Sequence, residues 1–223
     1  NVVVATMGSG IHIVDASGNV IDTWDSSDGL QSDDVSGLDV EGDWVVAIHP
    51  QNGATAFNKS AAGSAVTLNE ANSDLDSDNP TGIAIHNGVA YIGTADDGLN
   101  RYIIANDTFL GSWVSTGIND VNFAPLAILG TNPQVLHMGL PGYGVARKDL
   151  SSGEILIPLT VEPNRPNPSA TEILPSNQVY ALEANTGNSG LFIGTSDGAI
   201  YWDGNSASEL SRGNSWNLQP AQF

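Results

Sequence analysis

Residues 191–203 read Leu191-Phe192-Ile193-Gly194-Thr195-Ser196-Asp197-Gly198-Ala199-Ile200-Tyr201-Trp202-Asp203. An apolar run ends in a small residue. A short polar turn with a glycine follows, and then apolar and polar residues alternate. The run suits a buried strand, the glycine a turn that needs positive φ, and the alternation a strand with one face buried. Four other stretches repeat this order: VVVATMGSGIHIVD at 2–15, WVVAIHPQNGATAFN at 44–58, AYIGTADDGLNRY at 90–102 and VLHMGLPGYGVARKD at 135–149. The small residue that closes each run serves as an anchor. The anchors Ala5, Ala47, Gly93, Gly139 and Gly194 are spaced by 42, 46, 46 and 55 residues.

A repeat of about 45 residues with room for four strands is the signature of a β-propeller. In three units a tryptophan follows some way after the anchor: Trp24, Trp113 and Trp216. Their recurrence at equivalent places points to packing, and Trp44 and Trp202 fall inside strand patterns. A polar linker then leads to another apolar strand, at VSGLDV (35–40), PTGIAIH (80–86), APLAIL (124–129) and VYALEA (179–184). Glycine, Asn, Ser and Asp interrupt every window that would suit an amphipathic helix. The expectation is an all-β chain, one domain over 1–223, with five blades of four antiparallel strands. The repeat units fall near 1–34, 35–79, 80–123, 124–178 and 179–223. The chain opens inside the second strand of its first unit, so the first blade lacks its innermost strand. Residues Gln219–Phe223 are a short candidate for a closing strand, and a fragment of a six- to eight-bladed ring is the alternative.

Two linkers carry a more specific pattern. Asp28-Gly29-Leu30-Gln31-Ser32-Asp33-Asp34-Val35 runs to Trp44-Val45-Val46-Ala47, and Leu174-Pro175-Ser176-Asn177-Gln178-Val179 runs to Leu191-Phe192-Ile193-Gly194-Thr195. Both resemble the two-component-regulator propeller repeat, with its Gly-Leu-Pro-Ser-Asn-x-Val lead, apolar-Gly-Thr strand and Gly-Gly-Leu-x-Arg-Tyr close. Residues 89–102 resemble the second half of that repeat. The second and fourth units depart from it at Ile48-His49-Pro50 and His137-Met138-Gly139. The resemblance implies a sensor-type or ligand-binding propeller, usually extracytoplasmic, without catalytic residues of its own. It transfers no site residues.

The chain has 25 acids against 6 bases, a formal net charge of −19, and no cysteine. Charged residues make up only 14%, against about 25% in an ordinary soluble domain. The charge therefore arises from a shortage of bases. That argues against nucleic acid and anionic membrane surfaces as partners, both of which need clustered Lys and Arg. The missing cysteine excludes disulfides, thiolate metal sites and a cysteine nucleophile. No apolar run is long enough to span a membrane as a helix.

Fourteen of the 25 acids fall in the linkers and in the glycine turns. In a propeller these two loop classes are expected on one face, which would then attract cations or cationic ligands. The candidates there are Asp28, Asp33, Asp34, Asp96, Asp97 and Asp197. Tyr143, in a Pro-Gly-Tyr-Gly turn, is a candidate stacking residue for a sugar or a cation. Asp74, Asp76 and Asp78 alternate along one loop and offer the hard oxygen ligands that calcium takes, although the EF-hand pattern is not met. The four histidines occupy non-equivalent places in their units and predict no shared zinc site. No G-x-S-x-G elbow or phosphate-binding glycine motif occurs. The leading expectation is a non-enzymatic, extracytoplasmic binding or sensor module for a small molecule, a carbohydrate or a protein. The alternative is a small propeller glycosidase or lyase working through paired carboxylates on the acidic face.

Overall fold

A computed structural model describes residues 1–95, 98–111, 126–129, 134–140, 142–161, 174–185, 190–204 and 207–210. It contains five antiparallel sheets in chain order, the blades of a five-bladed β-propeller. Blade 1 is β1 (Val2–Ala5), β2 (Ile11–Val14) and β3 (Val20–Trp24). Blade 2 is β4 (Gly37–Glu41), β5 (Trp44–Ile48), β6 (Ala54–Asn58) and β7 (Val66–Leu68). Blade 3 is β8 (Pro80–His86), β9 (Val89–Thr94), β10 (Leu99–Ile103) and β11 (Thr108–Phe109). Blade 4 is β12 (Leu126–Leu129), β13 (Val135–Leu140), β14 (Gly144–Asp149) and β15 (Ile155–Leu159). Blade 5 is β16 (Val179–Ala184), β17 (Leu191–Thr195), β18 (Gly198–Trp202) and β19 (Ala207–Glu209). Within each blade the strands pair in chain order. The first sheet has three strands, and among the described residues no strand takes in it the place that β4, β8, β12 and β16 take in the others.

Strand alternation builds the core between blades. Along β5, Val45 and Ala47 pack with Ile11, Ile13 and Trp24 of blade 1, while Val46 and Ile48 pack with Ile85, Ala90 and Ile92 of blade 3. Along β9, Tyr91 turns to Leu136 and Met138 of blade 4. Val145 and Leu159 of blade 4 meet Leu191 and Ile193 of blade 5. The expected packing tryptophans follow suit where they are described. Trp24 is buried and stacks on Phe57 of the next blade with ring centroids 4.3 Å apart. Trp202 is buried under the Arg147 guanidinium, 4.5 Å from the ring centroid. Trp113, Trp216 and Gln219–Phe223 lie outside the described residues.

The inner strand β4 is tied to blade 3 by acids. On β4, Asp39 accepts from the backbone N–H of Ile85 at 2.6 Å, and Glu41 accepts from those of Asn87 and Gly88 at 2.8 and 2.6 Å. Two carboxylates thus satisfy backbone donors of the neighbouring blade, which no strand ladder reaches. Burial still raises the Asp39 carboxyl above its ordinary value, against the pull of the Ile85 and Val40 N–H groups.

One anchor has to be moved. The small residue Ala47 does not stand where Gly93 and Gly194 stand. Gly82 pairs with Gly93 and Ala181 with Gly194, but the equivalent pair in blade 2 is Gly37 with Ile48. A Cβ on Gly37 would lie 3.2 Å from Cδ1 of Ile48. Bulk has changed sides of the ladder: glycine on the inner strand makes room for isoleucine on its partner.

The glycine turns have the positive φ that the repeat demands, and three of them have a further reason to be glycine. A Cβ on Gly10 would overlap the carbonyl oxygen of Trp24, one on Gly53 that of Leu68, and one on Gly144 that of Leu159. Gly18 has similar φ but open space around it. Gly18→Ala should therefore cost about 1–2 kcal/mol, the left-handed backbone penalty alone. Gly53→Ala should cost clearly more, because backbone must also move. Urea unfolding midpoints compared at equal slope check the difference.

Candidate functional site

In blades 1, 2 and 4 the glycine turn after β1, β5 and β13 is clasped to the linker that enters the next blade. The amides of Gly8 and Gly10 both donate to the Asp33 carbonyl, at 3.0 and 2.9 Å. Gly53 donates to the Asp78 carbonyl at 2.9 Å, and Gly142 and Gly144 to the Asn177 carbonyl at 3.1 and 3.0 Å. In blades 3 and 5 the bond at this place stays within the blade: Ala95 donates to Asn79 and Ser196 to Gln178, each on the linker that enters its own blade. Turns and linkers therefore share one end of each blade, as propeller topology leads one to expect.

The linker is shaped by its own side chains. Ser32, Ser77 and Ser176 each accept from an amide two residues on, that of Asp34, Asn79 and Gln178, at 3.1–3.2 Å. The next residue is Asp33, Asp78 or Asn177. Its Oδ1 accepts a backbone N–H further back in the chain: Ser26 at 2.7 Å, Glu70 at 2.8 Å and Val161 at 2.7 Å. The same side chain thus ties the linker to the end of the preceding blade, while its backbone carbonyl ties it to the glycine turn. Asparagine serves as well as aspartate, so the negative charge is incidental to this role.

This divides the candidates. Asp33 and Asp78 are fasteners. Asp28 is one too: its carboxylate accepts from the Asp25 amide at 3.2 Å and closes a capping box around the 3-10 turn Ser26–Asp28. The Asp25 carboxyl is held below its ordinary value by the Ser27 hydroxyl and amide. Glu70 and Asp78 exchange backbone donors, since the Asp78 amide donates to Glu70 Oε1 at 3.0 Å. The acidic loop is further pinned by the buried Leu75 and by the Asp76 amide donating to Asn100. Asp78 therefore offers calcium less than the alternation of acids implies. Among the described residues no group of three or more Asp, Glu or His side chains is placed to hold a metal ion. Asp34, Asp74, Asp76 and Asp197 are exposed, and Tyr143 is 63% exposed on its turn. Asp96 and Asp97 lie outside the described residues.

Sequence reading gave Asp78 as a calcium ligand and missed its role, with Ser77, as a fastener; it assigned His49 no role. The recurrence of Ser followed by Asp or Asn, with the Ser three residues before Val35, Pro80 and Val179, was the available signal for the first. His49 is fully buried on the Ile48-His49-Pro50 departure from the repeat. Its amide donates to Gly53, as Thr6 and Thr94 donate to Gly10 and Gly98. Its ring bridges linker and blade: Nδ1 lies 3.1 Å from the Asp34 carbonyl and Nε2 2.9 Å from the Thr55 hydroxyl. A carbonyl only accepts, so Nδ1 carries the proton and the Thr55 hydroxyl donates to Nε2. The Thr55 oxygen in turn accepts the Gln31 amide at 3.1 Å.

No protein-family model and no curated protein sequence matches the chain. Solved structures share its fold. The extracellular domain of a proposed hybrid two component system of B. thetaiotaomicron superposes with a TM-score of 0.62 at 18% identity, over 89% of this chain and 24% of that one. PorZ, an essential surface component of the type-IX secretion system of Porphyromonas gingivalis, gives 0.61 at 20%, over 88% and 29%. The computationally designed Ika8 protein gives 0.59 at 18%, over 94% and 57%. The chain thus spans about a quarter of the length of the two bacterial neighbours.

Two results are expected. Asp33→Asn should leave stability nearly unchanged, because asparagine does this work at position 177, whereas Asp33→Ala should cost about 0.5–1.5 kcal/mol by removing the acceptor of the Ser26 amide; urea unfolding of the two variants checks this. Burial lowers the His49 pKa, opposed by its bond to the Asp34 carbonyl and by the nearby Asp33 charge. The unfolded chain then binds more protons there than the folded one, so stability falls as pH drops below 6.5. The unfolding midpoint followed from pH 7.5 to 5.5 should show this slope, and His49→Asn should flatten it.

Proposed function

We propose that the chain is a non-enzymatic binding or sensor propeller working outside the cytoplasm, with its ligand face at the clasped turns. The observation that carries this reading is how the acids at that end are used. Asp25, Asp28, Asp33, Glu70 and Asp78 accept backbone amides, the chemistry of a rigid frame. General acid catalysis by a carboxyl needs a raised pKa beside the reacting bond. Among the described residues the carboxyl that is raised is Asp39, and it sits between β4 and β8 with its oxygens on the Val40 and Ile85 amides. The extracellular setting of the bacterial neighbours supports the location. Among the described residues no helix is long and apolar enough to cross a membrane.

The ligand class follows from what the frame leaves over. Asp34 and Asp197 carry exposed carboxylates on the linker and turn, and Tyr143 presents its ring on a turn whose two flanking glycines are clasped. Exposed carboxylates and an exposed aromatic ring at the turn end of the blades suit a cation or a cationic segment.

Tetralysine is the probe, measured by calorimetry at low salt. The combined variant Asp34→Asn, Asp197→Asn, Tyr143→Ala should bind at least about tenfold more weakly, a loss of about 1.4 kcal/mol. A control carrying Asp22→Asn and Glu154→Gln loses the same charge elsewhere and should bind as the parent does. Equal losses in the two variants would reduce the effect to net charge and overturn the site. Absence of binding by the parent would overturn the cationic ligand.

A further inference from the structure

The third strands of neighbouring blades face each other across the seams between blades, and one seam differs from the rest. Between blades 1 and 2 that layer holds Ile13 and Phe57, and between blades 2 and 3 it holds Ala56 and Tyr102. Between blades 4 and 5 the Arg147 guanidinium lies over the Trp202 ring. Between blades 3 and 4 a cation is set against a cation. Arg101 of β10 pairs with Tyr91 of β9, and Lys148 of β14 pairs with Leu136 of β13. Tyr91 and Leu136 meet in the core cluster of this seam, so both pairs turn their side chains to the same gap. The strands further out continue both rows: the Leu110 amide donates to the Arg101 carbonyl, and Ile155 pairs with Lys148. The row Tyr91, Arg101, Leu110 thus faces the row Leu136, Lys148, Ile155. Exposure rises along both. Leu136 is fully buried and Tyr91 and Lys148 are 8% exposed, whereas Leu110 is 44% and Ile155 50% exposed. The seam is closed at the second strands, cationic at the third and apolar at its outer lip.

We infer that the outer seam between blades 3 and 4 binds a small carboxylate that carries an apolar chain. The carboxylate enters between Arg101 and Lys148, with the Tyr91 phenol as a neutral donor beside them, and the chain lies over Leu110 and Ile155 at the lip. The Leu110 and Gly111 carbonyls hold the Arg101 guanidinium near that lip, at 2.9 and 3.4 Å. Packing alone does not call for the arrangement, because cations that share a half-dry gap repel each other, and the other three seams fill this layer without a like-charge pair. Burial, and then the Arg101 charge, hold the Lys148 ammonium below its ordinary value. An anion reverses that repulsion and is attracted by both groups. A chain with 25 acids and 6 bases keeps two of its bases at this one place. Charged groups that fix a ligand's head beside apolar walls that cover its body are the usual make-up of a small-molecule site. The site lies on the wall of the propeller, away from the clasped turns, and takes the opposite charge from the one proposed there.

Octanoate is the probe, titrated into the whole chain by calorimetry at moderate salt. It should bind saturably, and Lys148→Met and Arg101→Gln should each weaken it by at least about tenfold. Lys59→Met removes a base from blade 2 and should bind as the parent does. Octanol lacks the charge and acetate lacks the chain, so each should bind at least about tenfold more weakly than octanoate. Octanoate should also raise the urea midpoint of the parent and of Lys59→Met, and leave those of Lys148→Met and Arg101→Gln where they are. Tyr91→Phe keeps the ring that packs on Leu136 and loses only the hydroxyl. It should weaken octanoate binding with a circular dichroism spectrum like the parent's, which separates a lost contact from a lost fold. Absence of saturable binding by the parent overturns the inference. So does binding that survives in the Arg101 and Lys148 variants, or an equal loss in Lys59→Met. Acetate or inorganic phosphate bound as tightly as octanoate would overturn the apolar ligand.

Discussion

A linker carbonyl that accepts the amides of the preceding blade's glycine turn is the constraint on which the rest of this propeller rests. Glycine turns at positive φ leave amides pointing away from the strands they join, and unpaired buried amides are costly. The carbonyls of Asp33, Asp78 and Asn177 take those amides. Each carbonyl is aimed by two local devices, a serine hydroxyl accepting the amide two residues on and an Oδ1 accepting an amide from the preceding blade. Linker, turn and blade end thereby become one piece. The entry angle of the inner strand is set there, and with it the alternation that sends Val45 and Val46 to opposite neighbours.

This accounts for a charge that is large and yet mostly occupied near the turns. A protein with 25 acids and 6 bases cannot neutralise its carboxylates with ion pairs. Lys59 with Asp43, at 3.0 Å, is the salt bridge among the described residues. Instead the carboxylates accept backbone donors, which stabilises them in place and uses no cation. Asp25, Asp28, Asp33, Asp39, Glu41, Glu70 and Asp78 all do so. An acid on this surface is first a structural acceptor. Asp34, Asp74, Asp76 and Asp197 are the exposed ones left over, and Asp34 and Asp197 with Tyr143 are the set proposed to meet a ligand.

The architecture was legible because both periods are written in the chain. VYALEA at 179–184 and PTGIAIH at 80–86 are inner strands over the same residues in the structure. Position within a repeat was less legible where a pair exchanged its bulk. Ile48 hid the second anchor because Gly37, eleven residues earlier, had made room for it. The roles of the acids were legible least. Asp33 and Asp34 are neighbours of the same type, yet one holds Ser26 and the other points to solvent, and composition carries no trace of that difference. His49 was likewise opaque, since its partners Asp34 and Thr55 come from a linker and a strand that only the folded blade brings together.

Native-state hydrogen exchange, read amide by amide, tests the clasp directly. Gly10, Gly53 and Gly144 sit in short surface turns, where amides ordinarily exchange fast. If their N–H groups are held by the Asp33, Asp78 and Asn177 carbonyls, they should exchange as slowly as the strand amides of Val46 and Ile92. Exchange at the rate of an unprotected, solvent-exposed amide would contradict the clasp, and with it the division of the acids into fasteners and free groups.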